Sequence, residues 1–346
     1  MFNSYTSAIV KLGNIFEEAC SHSENFSKEA KLLVDIAKNA NILNPWFTEV
    51  NILESYQAWG RALAPQKVEQ FMARYGKPTL SSKKVGIISA GNIPLVGLHD
   101  ILCVILSGYS SIIKLSGRDG GLTKLVTNIL ITIEPSLKDR ISYADDRLTG
   151  YDAIIATGSN NSARYFEYYF AKYPHIIRKN RNGVALLSGN ETGEQLALLG
   201  NDIFSYFGLG CRNVSKLYVP KGYNFTAFFE AIEPLNQVAM HHKYANNHAY
   251  SRAIWLIDQT PHLDNGFLLL KQDTAIASPI ATLYYEEYNT QTAIIEHLNQ
   301  NLNLLQCVVS NIEGAPLRVD FGQTQQPELW DFADSVDTMK FLETLR

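Results

Sequence analysis

The sequence predicts an α/β protein in which a parallel, doubly wound sheet is followed by a second α/β lobe. Three observations lead there. Between residues 84 and 187, near-continuous apolar runs of strand length alternate with helix-patterned stretches, as they do when a sheet is covered on both faces. The runs close on small or polar turns, Gly91-Asn92-Ile93-Pro94 and Thr157-Gly158-Ser159 among them, and parallel sheets bind ligands beyond such strand ends. A chain of 346 residues with 46% hydrophobic and 18% charged content suffices for two ordinary domains.

The elements follow in order. Residues 1–76 read as a helical segment packing on the domain behind it. Ala30, Leu32, Leu33, Ile36 and Ala37 recur at helical spacing, and Asn44-Pro45 breaks the chain. A second amphipathic run covers 48–63, and Pro65 suits the first turn of a helix that ends near Tyr75-Gly76. Residues 77–207 form the parallel-sheet domain, with strands at 85–90, 111–115, 153–156 and 183–187. Between them fall a helix-like stretch reaching residue 106 and helices at 122–133 and 162–172. A helix over 194–207 then runs into Gly208 and Gly210. Residues 208–315 make the second lobe, with strands at 217–220 (in a strand-like run that starts at 214), 253–257, 266–270, 282–285 and 306–310 and helices at 225–233 and 291–300. Residues 316–346 are a tail that returns to the sheet domain and ends in a short polar, helix-like stretch.

Composition removes several function classes. A net charge of −4 gives no electrostatic footprint for nucleic acid. Cys20, Cys103, Cys211 and Cys307 lie far apart with no Cys-x-x-Cys pair, so neither a zinc site nor a disulfide framework is expected and the compartment is a reducing one. The start, Met1-Phe-Asn-Ser-Tyr-Thr6, lacks the basic and apolar regions of a signal peptide. The most apolar stretch, 101–115, is interrupted by Ser107-Gly-Tyr-Ser-Ser111 and is too short to span a bilayer. The expectation is a cytoplasmic protein with no membrane span.

Chemistry-bearing residues cluster at strand ends. Phe207-Gly-Leu-Gly-Cys211 presents a thiol just beyond two glycines, where other backbone can approach closely; a small buried cysteine is the alternative. No Gly-x-Gly-x-x-Gly fingerprint is present. Thr157-Gly158-Ser159 precedes a helix whose N-terminus could hold a pyrophosphate, or Ser159 is an ordinary N-cap. Lys114, in Lys114-Leu-Ser116-Gly-Arg118, ends a strand and faces either a ribose or phosphate, or water. Asn92 is either an oxyanion donor or a turn asparagine. His241-His242-Lys-Tyr-Ala-Asn-Asn-His248 reads as a polar loop rather than a metal site, with His242 and His248 as proton carriers in reserve. Gly-x-Ser-x-Gly is missing.

In order and spacing, these motifs resemble those of the aldehyde dehydrogenase superfamily, most closely its acyl-thioester reductase branch, the LuxC-like fatty acyl-CoA reductases. Gly91-Asn-Ile-Pro94, Lys114-Leu-Ser116, Thr157-Gly-Ser159, Leu187-Ser-Gly189 and Phe207-Gly-Leu-Gly-Cys211 follow the superfamily's order, and the tail 327–339 looks like the LuxC branch. The likeness covers roughly residues 80–340. It implies an aldehyde dehydrogenase-like architecture: a doubly wound Rossmann-type cofactor domain plus a second α/β catalytic lobe. It implies that Cys211 attacks an acyl thioester of CoA or of an acyl-carrier protein. Asn92 and the Cys211 N–H would stabilise the oxyanion. Lys114, Ser116, Arg118, Thr157, Gly158, Ser159 and Gly189 would line the cofactor path, and hydride transfer would release an aldehyde. Homo-oligomers are usual in the superfamily.

Two departures from the superfamily pattern matter. Hydrolytic members carry a glutamate base ahead of a Gly-Gly pair, whereas here the stretch reads Ala185-Leu186-Leu187-Ser188-Gly189, with Leu186 near the expected place and Glu191 and Glu194 close by. Members selective for NAD place a glutamate three residues after the ribose lysine; here that position is Gly117, followed by Arg118, which favours NADPH over NADH. Two other readings remain open: reduction of an acyl phosphate of the glutamyl phosphate type, and a catalytically silent nucleotide-binding subunit.

Overall fold

Two of the N-terminal helices begin where a short polar side chain caps them. A computed structural model of the chain describes residues 2–21 and 25–345; Met1, residues 22–24 and Arg346, which belong to the terminal segments read from sequence, lie outside the described residues. After α1 (Phe2–Ala19), the Ser27 hydroxyl accepts from the Ala30 N–H to open α2 (Lys28–Asn39). Thr48 accepts from Asn51 to open α3 (Glu49–Ala62), and Pro65 starts α4 (Pro65–Met72).

The chain forms two compact units, one of Met1–Asn180 with Pro327–Arg346 and one of Arg181–Gln326. In unit 1 the helices lead into β1 (Lys84–Ile88), α5 (Leu98–Leu106), β2 (Ser110–Lys114), α6 (Leu122–Ile133), β3 (Ile141–Tyr143), β4 (Ala153–Thr157), α7 (Asn160–Phe170) and β5 (His175–Arg178). The strands make one parallel sheet in the order β3-β2-β1-β4-β5. The chain steps outward from β1 to β3 and then returns to the other side of β1. The order therefore reverses between β1 and β4, where open α/β sheets leave a crevice at the carboxyl ends. Every residue of α5 except His99 is buried, because it shares one core with α1 to α4 as well as with the sheet.

Unit 2 starts with β6 (Asn182–Leu186) and continues through α8 (Gly193–Phe204), β7 (Val214–Pro220), α9 (Thr226–Ile232), α10 (His242–Ile257), β8 (Leu263–Asp264), β9 (Leu269–Gln272), β10 (Thr282–Tyr288), α11 (Gln291–Gln300), β11 (Leu305–Val309) and β12 (Arg318–Val319). Its sheet runs β12-β11-β6-β7-β10-β9-β8, parallel except for the antiparallel edge pair β8–β9. Two expectations change here. The 183–187 strand belongs to this sheet and not to the first one, so the second unit begins well before residue 208. Only three residues separate β5 from β6, far fewer than the dozen or more that a parallel crossover within one sheet requires. The 253–257 strand and the 241–248 loop are instead one helix, α10. Its buried residues, Tyr244, His248, Ser251 and Trp255, recur at helical spacing, but two are polar and so hide the period.

The tail folds back onto unit 1, ending in α12 (Thr338–Glu343). Glu328 pairs with Lys67 at 2.6 Å, the Leu329 carbonyl lies 2.8 Å from His99 Nε2, and Arg74 stacks 4.2 Å from the centre of Trp330. Tyr75 donates to Asp337, and the buried Arg178 bonds both Asp100 and the Thr338 hydroxyl. Removing either partner of that buried ion pair would cost about 3–5 kcal/mol.

Candidate active site

The predicted residues fall into two groups, one in each unit. In unit 1 the turns after β1, β2 and β4 are neighbours because their strands are. The Ser89 N–H donates to the Lys114 carbonyl at 3.1 Å. A Cβ on Gly91 would lie 2.9 Å from the Ser116 side chain. The buried Asn44 donates to the Arg118 carbonyl at 2.9 Å and to the Gly91 carbonyl at 3.5 Å. Asn44 thus staples two of the turns together, although the sequence offers it only as a chain break before Pro45. The half-buried Asn92 follows Gly91.

Thr157, Gly158 and Ser159 end β4 and open α7. The Ser159 hydroxyl caps the helix, accepting from the Ser162 N–H at 3.2 Å. Gly158 has no room for a side chain, since a Cβ there would sit 2.9 Å from Phe166 and from Ser162. A ligand phosphate could approach the backbone N–H groups of this helix N-terminus. Lys114 directs its Nζ to the Asp146 carbonyl. Gly117 faces open space and Arg118 is exposed. The nearest carboxylate in sequence, Asp119, is buried and turned into α6, where it accepts from the Thr123 N–H at 3.0 Å and from its hydroxyl at 2.5 Å. The turn after β2 thus offers an exposed guanidinium, with the adjacent Asp119 facing inward, a donor that could meet a phosphate.

In unit 2, Cys211 stands just before β7 with its side chain exposed, and no disulfide engages it. The turn leading to it is strained: Tyr206 (φ 51°) and Phe207 (φ 56°) are left-handed ahead of Gly208 (φ 75°). Glycine tolerates this conformation, whereas each of the other two costs on the order of 1–3 kcal/mol. Bonds within the loop and bonds from distant segments hold the strained turn. Asn213 accepts from the Gly210 N–H at 2.8 Å and donates to the carbonyls of Asp202 (3.0 Å) and Ser205 (2.9 Å). Arg212 Nε donates to the Thr324 carbonyl at 2.5 Å, and the Asp202 carboxylate accepts from the N–H groups of Gly322 (2.7 Å) and Thr324 (3.0 Å). Burial pushes Asp202 up from 3.8 to about 6, against those bonds and Arg212. Gly183, on β6, lets the loop come close: its Cβ would be 2.5 Å from the Arg212 carbonyl oxygen. The same carbonyl accepts from the Cys307 thiol, whose pKa burial pushes up to about 12.

The sheet register places Gly189 elsewhere. Gly183 pairs with Val214 at the start of β7, while Leu187 bonds Tyr218 and a Cβ on Gly189 would lie 3.2 Å from Pro220 at its end. The seven residues of β7 separate these two edges by about 20 Å. Leu186, Gly189 and Glu191 therefore stand on the carboxyl edge and Cys211 on the amino edge. Glu191 is tied to its own turn, accepting from Ser188 N–H (2.6 Å), Ser188 Oγ (2.7 Å) and Gly189 N–H (3.1 Å). The expectation that Leu186 occupies the place of a base beside Cys211 is thus corrected, and Glu191 is no substitute base.

The histidine stretch borders the loop at one point: the His241 ring lies 4.3 Å from that of Phe207, and its Nδ1 accepts from the Tyr244 N–H at 3.4 Å. His248 pairs with Asp264 at 3.1 Å. Among the described residues, no group of three or more His, Cys, Asp or Glu side chains could hold a metal, and no helix is long and apolar enough to cross a membrane. Sequence reasoning missed Asn213, Asp202 and Gly183. A lone acid inside the apolar run Leu196-Ala-Leu-Leu-Gly-Asn-Asp202-Ile-Phe204 was the available signal for one of them.

No protein-family model and no curated protein matches the chain. Solved structures do. Aldehyde dehydrogenase 21 from Physcomitrella patens, in complex with the product succinate, superposes with a TM-score of 0.63 at 11% identity over 99% of this chain and 87% of that one. The aldehyde dehydrogenase KauB from Pseudomonas aeruginosa gives 0.60 at 13% over 96% and 82%. An aldehyde dehydrogenase of Mycobacterium tuberculosis complexed with NAD+ gives 0.56 at 12% over 83% and 70%. At such identities the likeness is one of fold, and the fold is aldehyde dehydrogenase-like.

Proposed function

We propose that the chain is an oxidoreductase that reduces an acyl thioester, of CoA or of an acyl-carrier protein, to an aldehyde with NADPH. The observation that supports this most is the exposed Cys211 thiol, carried on a strained and heavily bonded loop in an aldehyde dehydrogenase-like fold. Strain held by its surroundings is a mark of functional backbone.

In this reading the Cys211 thiolate attacks the acyl carbonyl, a new S–C bond forms, and the CoA or carrier thiolate leaves. The turns of Ser116, Arg118 and Thr157 to Ser159 would hold the cofactor, with Lys114 available to its ribose, and the cofactor when bound would supply the hydride. Reduction leaves a thiohemiacetal on Cys211, whose S–C bond breaks to release aldehyde and return the thiolate. Residues 205–216 contain no carboxylate, Glu191 belongs to the other sheet edge, and the Asp202 carboxylate is buried and engaged by the Gly322 and Thr324 N–H groups, so none of these is placed as a base that activates water on the acyl-enzyme. The oxyanion role of Asn92 has its own test: Asn92→Ala lowers kcat by about 10²-fold and leaves Cys211 alkylation unchanged. Homo-oligomerisation, usual in the superfamily, belongs to the same proposal.

An acyl phosphate substrate is a weaker fit. A dianionic leaving group asks for several cations at the thiol, and Arg212, the cation of the loop, commits its Nε–H to Thr324. The test is turnover of NADPH with acyl-CoAs of increasing length, following aldehyde, beside Cys211→Ala. Aldehyde from the wild type alone supports the proposal. No turnover on CoA or carrier thioesters, together with a Cys211 inert to iodoacetamide, would sink it.

A further inference from the structure

We infer that Asn213 is a positioning residue for Cys211, fixing the backbone that carries the thiol through one three-armed side-chain amide. The catalytic part of this inference rests on the proposed function. Asn213 is 3% exposed. Its oxygen meets the N–H of Gly210, the residue before the nucleophile, and its nitrogen meets two carbonyls, at Asp202 in α8 and at Ser205 where the strained turn begins. One acceptor and two donors are needed at this point, a set that a primary amide supplies in one orientation only. The Asn213 backbone closes the same turn, since its N–H donates to the Gly210 carbonyl at 3.1 Å and its carbonyl accepts from the Gly183 N–H at 3.1 Å.

Cys211 lies between the two anchored residues, Gly210 and Asn213. Its N–H and thiol must hold one geometry while the carbonyl carbon becomes tetrahedral, and displacement of reacting groups by about 1 Å costs about 10²-fold in rate. Tyr206 and Phe207 would relax out of the left-handed region without this fastening, and Cys211 would move with them. A second layer stands behind Asn213: Asp202 fixes Gly322 and Thr324, and Thr324 receives Arg212.

The experiment compares the full chain with Asn213→Ala and Asn213→Asp. Asn213→Asp keeps the acceptor for Gly210 and the side-chain volume but loses both donors. Both variants are expected to show amide hydrogen exchange about tenfold faster in peptides covering 205–216, with the rest of the chain unchanged. Both should lower kcat by about 10- to 100-fold with KM for NADPH unaltered, while iodoacetamide still labels Cys211 within about threefold of the wild-type rate. A space-filling role for Asn213 would leave Asn213→Asp near wild type, and that result overturns the inference. Wild-type exchange and kcat in both variants overturn it as well. A wild type that turns over no thioester overturns the reductase reading instead, and the exchange difference then still decides whether Asn213 fastens the loop.

Discussion

The β4–α7 turn and the Cys211 loop are both short, glycine-containing connections, and they are built by opposite means. The first is mostly local: Gly158 clears space within its own turn and helix, and Ser159 caps three residues ahead, with two bonds to the neighbouring β5 end, from the Gly158 N–H to the Arg178 carbonyl and from the Asn180 N–H to the Asn160 side chain. The second is assembled from a distance. Its bonds reach back to Asp202 and β6 and forward to Thr324 and Cys307, and its backbone adopts conformations that its own residues disfavour. A ligand cradle needs only exposed amides in a stable helix end. A nucleophile needs a fixed position, which a short segment cannot enforce on itself.

The largest effect that separates the two regions is loss of the thiol. Cys211→Ala is expected to reduce aldehyde formation by about 10⁴-fold or more, while NADPH binding, read by cofactor fluorescence, stays at wild-type strength; weakened binding would mean that the two regions are not separable. Next comes the approach that Gly183 permits. Gly183→Val places a side chain against the Arg212 carbonyl and should destabilise the protein by about 1–3 kcal/mol through overpacking. Denaturant unfolding reads this, and a neutral result would show that the loop can move aside.

Asp202 gives a smaller, pH-dependent effect. Its pKa is raised by burial to about 6 from 3.8, so the folded state binds its proton more tightly than the unfolded chain does. The associated stability is complete below 3.8 and is lost as pH rises through about 6, by on the order of 2–3 kcal/mol. The groups acting on it are Arg212, Thr324 and Gly322, with Cys307 nearby. Melting temperatures of the wild type minus Asp202→Asn, taken from pH 4 to 7, should fall across that window, and a flat difference would remove the assignment. The smallest effect belongs to the local turn. Ser159→Ala loses one cap and about 1 kcal/mol, with Cys211 alkylation unchanged; a change in labelling would contradict the local character of the turn.

Parts of both units were legible where their signals are local. The turn at 157–159, the break at Asn44-Pro45 and the helices at 122–133 and 291–300 follow from caps, proline and periodicity. Residues 253–257 misled because Ile254, Trp255 and Ile257 favour strands while the helical period of α10 runs through His248 and Ser251.

By itself the sequence determined the α/β alternation, the small-residue strand ends and the presence of one cysteine beyond two glycines. These are properties of neighbouring residues, set by backbone sterics and by the period with which apolar side chains must face a core. The tertiary structure alone decided that β6 joins the second sheet, that Gly189 and Cys211 stand on opposite edges of it, and that Asn213 closes the nucleophile loop. Strand partnership and register are fixed by contacts between residues far apart in the chain, and no local pattern carries that information.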